Sequence, residues 1–102
     1  RSALMPALQS HFDEFRVEVL RHLRELERER PEADSVTWFL LKYLRRIHRK
    51  AQECNTPQEI ENTIRALIRY YVDTIEEGTD LEFRCKDIIR RYRRSTRLQR
   101  NH

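Results

Sequence analysis

Positive charge is the chemistry this sequence concentrates. The stretch Ile88–Arg100, IIRRYRRSTRLQR, carries six arginines and no acid. A second acid-free run, Ser35 to Gln52, holds Lys42, Arg45, Arg46, Arg49 and Lys50. The chain has 21 basic and 17 acidic side chains, so setting the six C-terminal arginines aside leaves 15 against 17. The excess positive charge therefore belongs to the C-terminal end. Arginine outnumbers lysine 18 to 3, and its planar guanidinium forks onto phosphate and carboxylate oxygens.

Other chemistries are poorly provided for. The four histidines, His11, His22, His48 and His102, fall in no metalloprotease, nucleophile-elbow or deaminase spacing. His48 and Cys54 lie six residues apart on different helix faces, with no further ligands nearby, so no metal is expected. One glycine cannot build a phosphate-cradling loop. Acids interleave with arginines, as in RELERER (Arg24–Arg30), which reads as a solvated helix with i,i+4 pairs. A non-enzymatic chain without cofactor is expected.

These residues must be positioned by helices. Phe12, Phe15, Val19, Leu23 and Leu26 recur at +3, +4, +4 and +3, one face of a first helix capped by Ser10. Pro31 ends that helix or follows it closely. The second runs from an Asp34 or Ser35 cap to about Cys54, with Val36, Phe39, Leu40, Tyr43, Leu44, Ile47 and Ala51 as its apolar stripe. Thr56-Pro57-Gln58-Glu59 opens the third as a capping box with proline in the first turn. Its buried face is Ile60, Ile64, Leu67, Ile68, Tyr71 and Ile75, with Gly78 as a left-handed C-cap. Thr79–Glu82 repeats the box, and the fourth helix buries Leu81, Cys85, Ile88, Ile89 and Tyr92. The expected fold is all-α: a compact four-helix, or at most five-helix, bundle, mostly antiparallel. Residues 1–9 are expected to be an extension that packs on the bundle or is disordered, 10–95 the bundle and 96–102 a basic tail whose apolar spacing has stopped.

Cys54 and Cys85 fall at opposite poles of such a bundle, too far apart for a disulfide. Free thiols suit a reducing, intracellular compartment. No apolar run is long enough for a membrane span, and Ala3–Leu8 is too short for a signal-peptide core.

Helices two and four run the same way in an up-down bundle, so their C-terminal ends share a pole. That gathers Arg45, Arg46, Arg49 and Lys50 with Arg90, Arg91, Arg93 and Arg94, joined by Lys42 and Arg97. The helix dipole accounts for one or two cations per C-terminus, whereas eight at one pole call for a counter-anion. Trp38 shares the polar face of helix two with Lys42, Arg45 and Arg49. Trp38 and Leu41 are expected to be covered by Ala3–Leu8; left uncovered, they would form an apolar groove or dimer face.

The run FLLKYLRRIHRKAQECNTPQEI, Phe39 to Ile60, resembles part of the helical C-terminal domain of the chromodomain-helicase-DNA-binding chromatin remodelers. The likeness lies in its Leu-x-Lys helix, the Ile farther on, the Glu near the helix end and the Asn/Thr-Pro box opening the next helix. Tyr70–Asp73, YYVD, and the basic last helix, Arg84 to Arg94, continue it. The resemblance implies a non-catalytic helical bundle that binds DNA or nucleosomes through basic surface, in the nucleus. The expected partner is therefore double-stranded nucleic acid, DNA or RNA, read with little sequence specificity through backbone phosphates. An acidic protein surface is the other candidate anion. An anionic membrane is not expected, because it would need the apolar helix faces that the core takes. The alternative function is a helical protein-interaction or dimerisation domain.

Overall fold

The computed structural model describes the backbone of residues 6–100 and the side chains of residues 11–97. Four α-helices follow one another: α1 (Pro6–Arg28), α2 (Val36–Glu53), α3 (Glu61–Thr74) and α4 (Asp80–Arg100), with a 3₁₀ turn at Pro57–Ile60 before α3. No strand occurs among the described residues. The helices pack as an all-α bundle in which α1 lies against α2 and α4, and α3 closes the other side against the same two. Consequently α2 and α4 occupy diagonal corners. The principal extents are 48 × 23 × 21 Å. No described helix is long and apolar enough to cross a membrane.

The core follows the helical spacing. Phe12, Phe15, Val19, Leu23 and Leu26 of α1 are buried, as are Leu40, Leu44, Ile47 and Ala51 of α2, Ile64 and Leu67 of α3, and Cys85, Ile88, Ile89 and Tyr92 of α4. Helix α2 is gripped on two flanks, by α1 and α3, so its buried arc is wider and differently centred than one stripe. Leu41 is 2% exposed and belongs to the core, whereas Val36 and Phe39 lie at its edge, 40% and 39% exposed. Leu41 is therefore no interaction surface. The Ala3–Leu8 segment expected to cover it lies outside the described side chains.

Local chemistry fixes the helix ends. Ser35 caps α2, its hydroxyl accepting the Trp38 N–H at 3.2 Å. At the other end of α2, Arg16 reaches across from α1: its Nε donates to the Ala51 carbonyl at 2.8 Å and Nη2 to the Cys54 carbonyl at 2.9 Å. A guanidinium on orphan carbonyls satisfies both hydrogen bonding and the helix dipole. Glu59 accepts from the Asn55 and Thr56 N–H groups, holding the 3₁₀ turn, and Tyr92 Oη donates to the Pro57 carbonyl at 2.8 Å. Thr79 and Glu82 make a reciprocal cap for α4, with Glu82 N–H on Thr79 Oγ1 and Gly78 N–H on Glu82 Oε1 at 2.8 Å.

Three expectations are corrected. Helix α1 already includes Ser10, which is therefore not its cap; Pro6 is tolerated in a first turn, where its missing N–H has no partner to lose. Gly78 (φ 80°) takes its left-handed conformation in the turn into α4, not at the C-cap of α3, which ends four residues earlier at Thr74. Helix α4 does not stop near Ser95 but runs to Arg100, with Ser95 itself fully buried and its hydroxyl donating to the Tyr92 carbonyl at 2.6 Å. A buried serine that satisfies itself on its own helix continues the core without an apolar residue. The described residues form the expected four α-helices, with one additional 3₁₀ turn before α3.

Both cysteines are free. Burial pushes the Cys85 thiol up to about 12, so it is no nucleophile at neutral pH.

No atom approaches within 4 Å of a Cβ placed on Gly78, so Gly78→Ala carries only the cost of a left-handed residue. The expected loss is about 1 kcal/mol in urea unfolding, with an unchanged helical circular dichroism spectrum.

Candidate nucleic-acid interface and the buried ion seam

The structure does not gather the cations of α2 and α4 on one surface. Their C-terminal halves lie toward the same end of the bundle, but on diagonal corners that face apart. Around α2, Lys42, Arg46, Arg49 and Lys50 are exposed, and Arg45 is the one α2 cation with an ion pair among the described residues, to Glu27 of α1 at 3.1 Å. Lys42 Nζ stands 4.2 Å from the Trp38 ring centre, and Trp38 packs edge-on against Phe39. The indole is half-buried.

On α4 the arginines divide. Arg93, Arg94 and Arg97 are exposed. Arg90 is also exposed but touches Asp87 at 2.8 Å. Arg91 turns inward: its Nη1 donates to Glu14 at 2.9 Å and its Nε to Asp87. Arg91 is therefore removed from the candidate interface, because two carboxylates already neutralise it.

Arg91 leads to a feature that motif spacing missed. Where α1 meets α4, His22 and Asp87 are both buried, at 0% and 4% exposure, and His22 Nε2 lies 2.8 Å from Asp87 Oδ2. Arg84 Nη1 lies 3.0 Å from His22 Nδ1 and 2.6 Å from Glu25, while Arg84 Nε bonds Asp80 at 2.7 Å. Arginine can only donate. Nδ1 must therefore accept, and Nε2 carries the proton that it donates to Asp87. Burial pushes the Asp87 carboxyl up, but hydrogen bonds from His22 and Arg91 and the charge of Arg91 outweigh it and hold it below its ordinary value. Glu25 is held down first by the Arg84 hydrogen bond, and also by Arg21.

Glu18, His22 and Asp87 place ligand atoms within 4.8 Å of one another, a set of the types zinc accepts. Their other partners do not fit a metal. A metal on Nε2 needs the proton on Nδ1, where it would point at the Arg84 guanidinium. Both Asp87 oxygens are also occupied by donors. Nor does the His–Asp pair offer a free nitrogen to a substrate. Its geometry fits a structural fastening. Zinc addition and chelation are expected to leave the melting temperature unchanged.

The signal for this seam was present as charge periodicity. Asp80, Arg84, Asp87 and Arg91 recur at +4, +3 and +4, and Glu14, Glu18, His22 and Glu25 at +4, +4 and +3. These are two charged stripes, complementary when the helices run antiparallel.

Comparison with known proteins supplies no relative. No family model matches the chain, and neither the curated proteins nor the solved structures yield a match. Function has to be argued from the side chains themselves.

Removing one partner of a buried ion cluster strands the others, so Asp87→Ala should cost about 3–5 kcal/mol in urea unfolding. Asp87 and Glu25 are held below their ordinary values, so the stability they add is present above about pH 4 and lost as pH falls through their lower folded-state values. Unfolding midpoints measured from about pH 6 down to about pH 2 should fall for the wild type. They should fall less steeply for Asp87→Ala.

Proposed function

We propose that this chain is a non-catalytic nucleic-acid-binding domain whose interface is the outer face of α2. The observation that carries this reading is the state of Lys42, Arg46, Arg49 and Lys50. All four are exposed on a helix that has no acid before Glu53, and none has an ion-pair partner among the described residues. Like charges held together on a rigid helix repel one another, and a polyanion laid along the helix relieves that repulsion. Lys42 and Arg46 line one shallow recess with Phe39 and Tyr43, and Arg49 and Lys50 follow one turn on, so the cations form a strip along the helix. A strip of point charges meets backbone phosphates, which position a protein without reading bases. The likeness of Phe39–Ile60 to the helical C-terminal domain of the chromodomain-helicase remodelers favours duplex DNA as the ligand and the nucleus as the compartment.

Of the expected cations, Arg45 contributes partly, since Glu27 holds it. Arg90, Arg93, Arg94 and Arg97 lie around the diagonal helix, outside this strip.

Fluorescence anisotropy with labelled duplex DNA should show affinity falling steeply as salt rises, since each neutralised phosphate releases counterions. Replacing Lys42, Arg46, Arg49 and Lys50 together with Gln should lower the log–log salt slope by about 3 without altering the helical spectrum. Replacing Arg93, Arg94 and Arg97 should leave that slope nearly intact. Absence of binding at low salt, or an unchanged slope in the α2 variant, refutes the assignment.

A further inference from the structure

The seam between α3 and α4 differs from the α1–α4 seam: it is open to solvent. Two recesses run along it, of about 600 Å³ and about 410 Å³, and they meet at Ile68 and Arg93. Their floor is apolar, made by Ile64, Ile68, Tyr71 and Ile89, with Val72 on the lip at 69% exposure. Their rim is cationic. Lys86, Arg90, Arg93 and Arg97 stand along the α4 side, and Arg65 stands on the α3 side.

One acid, Glu61, lines the groove, and it is already paired with Arg65 at 2.8 Å. Lys86 and Arg90 likewise have carboxylates of their own helix, Glu82 and Asp87. Arg93 and Arg97 have no ion-pair partner among the described residues.

We infer that the α3–α4 groove docks an acidic amphipathic helix of another protein, its apolar edge on Ile68, Tyr71 and Val72 and its carboxylates on Arg93 and Arg97. An apolar floor with a charged rim is the pattern of helix-in-groove recognition, in which anchors at i, i+3, i+4 and i+7 fill the floor. A phosphate backbone would satisfy the rim but offer nothing to the floor. A second copy of the chain is a poor occupant as well. Its described helices interleave acids with cations on α1 and α3, and are dominated by cations on α2 and on the C-terminal half of α4. The partner is thus a different, acidic molecule, bound on a face separate from the α2 strip.

The groove follows α3 from Glu61 to Val72, roughly 16 Å of helix, which suits a peptide of about 12 residues, or just over three turns. The probe is a fluorescein-labelled peptide of that length, with Leu on one face at the i, i+3, i+4 and i+7 spacing and Glu elsewhere. It should bind the wild-type domain. Arg93→Gln with Arg97→Gln should weaken it about fivefold to tenfold, and Val72→Asp by a similar factor. A peptide of the same charge with its Leu replaced by Ser should bind about tenfold more weakly, or worse.

The variant with Lys42, Arg46, Arg49 and Lys50 changed to Gln should bind the peptide as the wild type does. That separates this inference from duplex binding at α2, since either can fail while the other stands. No binding of the Leu-bearing peptide, equal binding of the Ser peptide, or indifference to the Arg93/Arg97 double change would each overturn it.

Discussion

The contact between His22 and Asp87 determines how the two longest helices meet. A buried carboxylate is tolerable only while its donors stay in place, and here they come from both sides of the seam: His22 from α1, Arg90 and Arg91 from α4. Sliding α4 by one turn would set Arg84 or Arg91 against His22 and Asp87 against Glu18 or Glu25, carboxylate facing carboxylate. The apolar residues of α1 and α4 would tolerate such a slip, since Leu, Ile and Phe pack in many registers. The polar pair does not, so it selects one register, and removing either partner strands the other.

Fixing that register sorts the arginines into two populations. Arg16, Arg84 and Arg91 are structural: one closes the end of α2, and the others neutralise the carboxylates between α1 and α4. Because these three absorb the nearby acids and carbonyls, the cations on α2 and on the open side of α4 are left facing solvent. The α2–α3 contact uses different chemistry, a stack of Tyr43 on Tyr70 with ring centres 4.9 Å apart and Tyr70 Oη on the Val36 carbonyl. The α1–α4 seam thus adds ions to its apolar and aromatic packing, the α2–α3 seam adds a tyrosine stack, and the α3–α4 side is the most open.

The apolar period along each helix was enough to identify the four helices and most of the core, because burial of Phe12, Phe15, Val19, Leu44 or Ile88 depends on helical spacing alone. The Thr56 and Thr79 caps were legible for the same reason, being local. What was not legible depended on neighbours. Leu41 lies off the single apolar stripe of α2, and its burial follows only once α1 and α3 each take a flank of that helix. Ser95 looked like the end of a pattern although its hydroxyl turns inward to its own helix. Arg91 looked like part of a basic patch because sequence order alone does not reveal that Glu14 faces it from 77 residues away. Grouping α2 with α4 failed for a topological reason: sharing a direction does not place two helices side by side.

The position of Trp38 carries a practical consequence. It is the chain's single tryptophan, and its ring lies beneath the Lys42 ammonium on the outer side of α2. Any molecule that draws Lys42 away changes the electric field on the indole, while events in the α3–α4 groove, on the far side of α3, leave that field alone. The domain therefore contains its own optical reporter, sensitive to one of its faces and blind to the other.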